Sequence, residues 1–357
     1  VQKNLLLLLL CLSAPLLVTV GCDKGGNNFN ITSASEQFPS GSGSATAVNN
    51  QLDILFVIND QPSMSSFQDE LVASMSTFMS TFQTKGFDYK IAVVTTSGYM
   101  ADPTLNGYNS INVAEADFND FNGTVHSNVH VITPADPNIF SNFAINAKPS
   151  KNTSGQDNRA FSSFRQALQT LRPINAGFLR PNSFLAVIIV DNQDDFSGNG
   201  RCVGCNNNQR YNAPTLDAVT VYKDFLDQLT GTSGATARYN VSAMAQTVST
   251  CQGSTLSTRI MDLVNQTNGV LGDICQADFG ISMTAMANKI TLLSTQYYLA
   301  RVPVLSSIRV IIDGVQILES ATDGWTYDSA ANSIQFHGSA IPQQGANIVV
   351  NYDPATI

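Results

Sequence analysis

The carboxylates with the most chemical promise in this chain gather in two places, each directly after an apolar run. Asp60 follows Asp53 to Ile58, and Asp191, Asp194 and Asp195 follow Phe184 to Val190. Neighbouring carboxylates after a strand are candidates for acid–base work or for ordering their loop by hydrogen bonds. Amides and a hydroxyl stand among them, however, at Asn59, Gln61, Ser63 and Asn192. For Asp194 and Asp195, hydrogen bonds that order the loop fit better than an acid–base pair. Three histidines are present, of which His126 and His130 are four apart. That spacing shares a face only on a helix, whereas Thr124 to Thr133 reads as strand or loop and lacks the Glu of a zinc-protease motif. Neither a G-x-S-x-G elbow nor a P-loop occurs, so the usual nucleophile-plus-base and phosphate-cradling arrangements lack material, and no enzyme is expected.

The six cysteines form a second group. Lys3 followed by an apolar run from Leu5 to Val20 has the layout of a secretory signal, expected over residues 1–21. The run holds Pro15 and is shorter than the roughly 20 residues of a spanning helix. The segment ends Thr19-Val20-Gly21-Cys22, which resembles a bacterial lipoprotein processing site, with Cys22 as the acylated residue. If Cys11 leaves with the signal and Cys22 carries lipid, Cys202, Cys205, Cys251 and Cys275 remain, an even number suited to disulfides in an oxidising compartment. The pairs closest in sequence, Cys202 with Cys205 and Cys251 with Cys275, are the expected ones. A four-cysteine zinc site and a redox C-x-x-C are the alternatives.

These residues need elements to position them. The Gly, Ser, Asn and Thr content of residues 22–50 predicts a flexible tether. From Asp53 onward strand and helix alternate. Buried strands are expected at Asp53 to Ile58, Tyr89 to Thr95 and Phe184 to Val190. Helices are expected at Ser65 to Phe82, with Ser65 or Ser66 as cap, and at Ala160 to Leu171 and Leu216 to Leu229. Arg238 to Ala245, Gly269 to Ile274 and Ala277 to Leu293 continue as strand, strand and helix. Such alternation implies an α/β fold, a doubly wound and mostly parallel sheet covered on both faces, with ligands at the carboxyl ends of its strands. After Ser294 the pattern changes to short β-rich runs separated by Asp313-Gly314, Asp323-Gly324 and Asn332, a small all-β module with Trp325 as its core anchor. The expected division is a body over residues 51–301 and a β-sandwich-like module over residues 302–357.

Asp53-Ile54-Leu55-Phe56-Val57-Ile58-Asn59-Asp60-Gln61-Pro62-Ser63-Met64 resembles the first strand and loop of the von Willebrand factor A (vWA) family. That family ends the strand with D-x-S-x-S-M, whose Asp and two Ser hold a divalent cation. Phe184 to Ser197 resembles a bacterial lipoprotein subgroup reading roughly L-A-V-I-F-V-S-D-E-D-D-x-S, whose first Asp is the other carboxylate at the metal. Asp88 to Thr96 and Arg259 to Phe279 look like the subgroup's second strand and its last strand and helix. The resemblance implies a vWA (Rossmann-like) body with a cation site at the top. The motif's Asp falls on Asn59, its first Ser on Gln61, its second on Ser63 and the second-site Asp on Asn192. Its Thr corresponds to Thr153 or Ser154. Both formal charges of the inner shell are therefore lost. The expected site is a degenerate, cation-free surface; a cation, Mg²⁺ or Ca²⁺, would have to use Ser63, Asp60 and Asp191.

Composition bounds the partners. Charged residues make up 13% of the chain, about half of the roughly 25% usual for soluble domains. At 43% hydrophobic residues a core is available and global disorder is excluded. Eighteen basic residues stand against 27 acidic ones, a balance that repels phosphate backbones and excludes nucleic acid as a partner. The expectation is a lipid-anchored protein of the bacterial cell envelope, at the outer membrane or cell surface rather than the inner membrane. It needs no cofactor and binds a protein partner through the top of the vWA-like body. Self-assembly as a structural subunit and glycan binding by the module are the alternatives.

Overall fold

The structure is a computed structural model. It describes residues 34–38, 50–102, 113–149, 158–169, 172–198, 215–248, 251, 256–343 and 346–355. The expected signal segment, Cys22, Thr153, Ser154, Cys202 and Cys205 lie outside these residues.

The centre is a six-stranded sheet. Four parallel strands, β2 (Gln51–Ile58), β3 (Asp88–Thr95), β5 (Phe184–Val190) and β6 (Tyr239–Ala245), carry most of it. The short β4 (Val131–Ile132) runs antiparallel to β3 at one edge, and β7 (Leu271–Asp273) runs parallel to β6 at the other. The spatial order is β4-β3-β2-β5-β6-β7. The near-continuous apolar runs are explained by burial on both faces. In β2, Leu52, Ile54, Phe56 and Ile58 enter one core while Leu55 and Val57 enter the other, and β5 alternates in the same way.

The first core is closed by α1 (Ser65–Thr84), α2 (Ile139–Asn146) and α6 (Gly280–Ser294); the second is closed by α3 (Ala160–Gln169), α4 (Val219–Thr230) and α5 (Thr258–Gln266). Phe56 anchors the first, edge-on to Phe78 at 5.8 Å and to Phe143 at 5.1 Å. The doubly wound architecture expected from the alternation is therefore present. β4 falls within Thr124 to Thr133, read as strand or loop, whereas α2 was not anticipated. The expected Ser cap of α1 is also absent: Pro62–Met64 forms a 3₁₀ turn, Met64 is the cap residue without a side-chain bond, and Ser65 is already inside the helix. Among the described residues no helix is long and apolar enough to cross a membrane.

One charge sits inside the sheet. Asp53, fully buried in β2, accepts from the Arg180 backbone N–H at 2.7 Å, from Arg180 Nε at 2.8 Å and from Ser183 Oγ at 2.5 Å. Arg180 also reaches Asp88 at the start of β3 at 2.7 Å, so one guanidinium ties the amino ends of β2 and β3 to the loop before β5.

The β module differs from its expected boundaries in two ways. The segment read as a flexible tether supplies β1 (Ala34–Phe38), which pairs antiparallel with β13 (Ile348–Tyr352). With β9 (Arg309–Ile312) and β10 (Val315–Ile317) these form a sheet of order β1-β13-β9-β10. A second sheet, β11 (Trp325–Asp328), β12 (Ser333–Phe336) and β8 (Tyr297–Tyr298), begins before residue 302, because Ile334 of β12 pairs with Tyr297. The two-residue turn between β9 and β10 has Asp313 at φ 49° and Gly314 at φ 82°, the pair of positive values that a tight hairpin requires. Trp325 is buried beside Tyr297, Val310, Phe336 and Val350, and its Nε1 donates to the Ile317 carbonyl at 3.0 Å. The core role expected of it holds. The module is thus completed from both flanks of the α/β body. In a chain shortened to begin at Asn50, the β13 amides that donate to β1 lose their acceptors. They should exchange with solvent at least about tenfold faster by hydrogen-exchange NMR, while β2 and β5 keep their protection.

Candidate functional site

Strand register builds the site. Ile58 lies opposite Val190, so the chain leaves β2 and β5 at the same level and sets Asn59 beside Asp191. The Asn59 amide Nδ2 donates to Asp191 Oδ1 at 2.7 Å and to Asn192 Oδ1 at 3.2 Å, and its Oδ1 accepts the Gln61 N–H at 2.8 Å. This orientation is the favourable one, since the flipped amide would oppose oxygen to carboxylate and N–H to N–H. Asp191 Oδ1 also receives the Gln193 N–H at 2.9 Å and Asn158 Nδ2 at 3.3 Å. Its Oδ2 is buried with no hydrogen-bond partner. Burial pushes the Asp191 carboxyl well above the usual carboxylate range. The Asn59 and Gln193 donors partly offset this, and the charges of Asp195 and Asp194 add to it.

Around this pair runs a network of amides. Gln61 Nε2 donates to Asn158 Oδ1 at 3.2 Å, and Gln61 Oε1 accepts from Gln193 Nε2 at 2.9 Å. Asn192 Nδ2 reaches Ser63 Oγ at 3.3 Å, and Gln246 Nε2, from the loop after β6, donates to the Asn192 carbonyl. Asp60 faces another way, with its Oδ1 accepting from Ser97 Oγ at 3.1 Å and Thr96 Oγ1 at 3.5 Å.

Ser63, Asp60 and Asp191, the set required for a displaced cation, are consequently directed at three different groups of partners. Among the described residues no three carboxylate, imidazole or thiol groups stand where they could hold an ion. A hard cation needs converging acceptors, whereas here an amide donor spans the gap between the two loops. The residues present do not fit Mg²⁺ or Ca²⁺.

Asp194 and Asp195, expected on the exposed face, are fully buried and turned toward helix ends. Asp194 accepts from Thr258 Oγ1 at 3.1 Å, Arg259 N–H at 3.0 Å and Ile260 N–H at 3.2 Å, capping the first turn of α5. Asp195 accepts the Phe161 N–H of α3 at 2.9 Å and both the N–H and the hydroxyl of Ser197, at 2.9 and 2.8 Å. Arg259 bridges the two caps, its Nη2 lying 3.3 Å from Asp195 Oδ2. Burial raises the carboxyl of Asp194 to about 6, against its backbone donors, and raises that of Asp195 against the Arg259 charge.

The accessible part of this face is small. Gln61, Ser63 and Gln193 reach solvent, and two apolar side chains stand out, Val248 at 83% exposed and Ile281 at 79%. Val248 belongs to the loop after β6, and Ile281 to the first turn of α6. The expected disulfide between Cys251 and Cys275, Cα atoms 5.6 Å apart, joins the loops that follow β6 and β7. Asn158, Thr96, Ser97, Gln193 and Gln246 were not singled out by sequence reasoning. Their signal was positional, because each lies just beyond a strand or just before a helix. A cleft of about 170 Å³ lies at the opposite end of the body, lined by residues that include Tyr239, Asn268 and Asp328, and touches none of these residues.

No protein-family model and no curated protein matches the chain. Among solved structures it is similar to proximal thread matrix protein 1 of the mussel byssus (TM-score 0.37, 11% identity, 71% of this chain and 50% of that one). It is also similar to the pilus adhesin SpaC of Lactobacillus rhamnosus GG (TM-score 0.38, 11% identity, 85% and 38%). A third is the ArnB paralog VWA2 of Sulfolobus acidocaldarius (TM-score 0.30, 8% identity, 91% and 67%). The chain spans half or less of the length of the first two, and likenesses at this level carry no argument about function.

All three loop carboxyls titrate above the roughly 3.9 of an unfolded Asp. For Asp194, between about pH 4 and 6 the native state therefore holds a proton that the unfolded chain has released, and this contribution to stability falls as pH rises through that window; Asp191 and Asp195 act in the same direction. Asp194→Asn should remove part of the slope. Urea midpoints measured at pH 5 and pH 7 are expected to differ less, relative to wild type, in the variant; an unchanged difference would overturn the assignment.

Proposed function

We propose that this chain is a non-enzymatic, lipid-anchored protein of the bacterial cell envelope. It binds a protein partner through the carboxyl-end face of its vWA-like body, without a cation. The anchor rests on the apolar segment ending at Cys22. Export is supported by the Cys251–Cys275 disulfide, a bond that persists in oxidising compartments.

The observation that carries the cation-free reading is the 2.7 Å hydrogen bond from Asn59 to Asp191, an amide donor where the family places a charged ligand. Recognition then falls to shape and to neutral contacts. Gln61, Ser63 and Gln193 offer hydrogen bonds, and Val248, on the loop after β6, and Ile281, in the first turn of α6, offer apolar area. Exposed apolar side chains together with neutral hydrogen-bonding groups are the materials of a protein-binding surface.

Two measurements test this reading. In thermal denaturation, millimolar Mg²⁺, Mn²⁺ or Ca²⁺ should move the melting temperature by less than about 1 °C, whereas a cation at a hundred times its Kd would add about 2.7 kcal/mol. A photo-crosslinking residue placed at Val248 should capture a protein in the native host, with or without EDTA, while the same residue at the exposed Ser233, beyond the far end of α4, should not. Crosslinks to a second copy would identify self-assembly. Capture abolished by EDTA, or equal from both positions, would sink the proposal.

A further inference from the structure

The chain holds five Asn-x-Ser/Thr triplets, the acceptor pattern for a glycan carried on an Asn amide nitrogen, headed by Asn30, Asn122, Asn152, Asn240 and Asn265. Asn30 and Asn152 lie outside the described residues. The fold closes two of the others. Asn240 sits in β6 with its side chain fully buried. Asn265 is exposed in the last turn of α5, but the Thr267 hydroxyl that completes its triplet is buried. That hydroxyl donates to the Leu263 carbonyl at 2.8 Å and accepts the Val241 N–H at 3.0 Å. A glycan transferase must reach amide and hydroxyl together, and neither of these triplets presents both.

Asn122-Gly123-Thr124 is presented differently. After β3 the chain makes a tight excursion in which Phe121 bridges to His126, and the Ser127 N–H closes on the Asp120 carbonyl at 2.7 Å. The triplet forms the tip, with Gly123 at φ 90° and with Gly123, Thr124 and Val125 exposed. Asn122 Oδ1 accepts the Thr124 N–H at 3.0 Å, the Val125 N–H at 2.9 Å and the Thr124 hydroxyl at 2.9 Å. Its Nδ2 donates to nothing among the described residues. Beneath the tip the excursion is held firmly. Asn146 of α2 donates to the Val129 carbonyl at 2.7 Å and accepts from Ser127 Oγ at 2.7 Å. The Asp120 carboxylate lies 3.1 Å from His126 Nδ1 and 3.8 Å from His130 Nε2, and the Phe121 ring stacks on His126 at 4.5 Å.

We infer that Asn122 is a site of N-linked glycan attachment; this rests on the export part of the reading above and on nothing in its account of the carboxyl-end face. In the transfer, Nδ2 attacks the anomeric carbon of a glycan carried on a lipid pyrophosphate. The C–N bond forms, the bond from that carbon to the pyrophosphate oxygen breaks with its electron pair, and one amide proton passes to a base on the transferase. Nothing is oxidised or reduced. Three donors on Oδ1 stabilise the negative charge that gathers there as the proton leaves. Because Oδ1 holds the turn and Nδ2 does not, attachment leaves the hydrogen bonds of the turn in place. Asp120 precedes the Asn by two residues, an acidic position that none of the other four triplets has, so a transferase that also grips a carboxylate selects the same site. A glycan is bulky and hydrated. At this tip it adds polarity to a chain in which charged residues make up 13%.

The test is a mass-spectrometric peptide map, run without reduction, of the full chain purified from its native host. The peptide holding Asn122 should carry a mass increment composed of whole sugar residues. Asn122→Gln and Thr124→Ala should abolish that increment. Thr124→Ser, which keeps the hydroxyl, and Asn265→Gln should retain it. The wild-type map decides the matter even where a variant fails to fold. A bare Asn122, or one altered only by deamidation, in a chain whose Cys251–Cys275 bond is formed would overturn the inference and leave export standing. A bare Asn122 with both thiols free would overturn the two together. Glycan that survives at Asn122 in Thr124→Ala would also overturn the assignment.

Discussion

Two adjacent buried carboxylates after β5 must be hydrogen-bonded in full, and the upper part of the body is organised around that requirement. Asp194 finds its donors at the start of α5, and Asp195 finds its donors at the start of α3. The two helices lie over the same face of the sheet, and the N-cap residue of α5, Ser257, makes no side-chain cap bond. A helix N-terminus offers unpaired N–H groups and a favourable dipole, so each carboxylate satisfies the helix as the helix satisfies it. Arg259 supplies the compensating charge for Asp195 and lies over the Phe161 ring at 5.7 Å, connecting the caps laterally.

With those two carboxylates committed to the helices, little negative charge remains for the loop surface. Asp60 is turned to Ser97 and Thr96, and Asp191 is covered by three donors on one oxygen. The amides at Asn59 and Asn192 then act as cross-links rather than as weak ligands. An amide both donates and accepts, so Asn59 alone joins the β2 loop to two consecutive residues of the β5 loop. Such a network holds its shape without an ion, and the proposed binding face rests on that physical property.

The β module shows a different economy. Its first strand precedes the α/β body and its last follows it, with Ala34 opposite Tyr352 across the β1–β13 ladder. The body is thereby inserted between two strands of one sheet. Seam contacts reinforce the arrangement, including Asn50 Nδ2 to the Pro342 carbonyl at 3.2 Å and the Tyr298 hydroxyl to the Ala235 carbonyl at 3.0 Å. Residues before β2 therefore have a structural role in the module in addition to any role as a spacer.

The alternation of buried runs with helical spacing was enough to reveal the doubly wound body, because strands such as Phe184 to Val190 are apolar on both faces only when helices cover both. Turn chemistry at Asp313-Gly314 and the burial of Trp325 were legible for the same reason: each is a local property of its own residues. The amides at Asn59 and Asn192 could also be read directly. What those amides do instead could not, since it depends on the register that sets Ile58 opposite Val190. The inward turn of Asp194 and Asp195, the arrival of Asn158 and Gln246 at the site, the pairing of β1 with β13, and the convergence of His126 and His130 on Asp120 all join residues separated by at least one turn of chain. Sequence displays which groups need partners; only the packed chain decides which partners come within hydrogen-bonding distance.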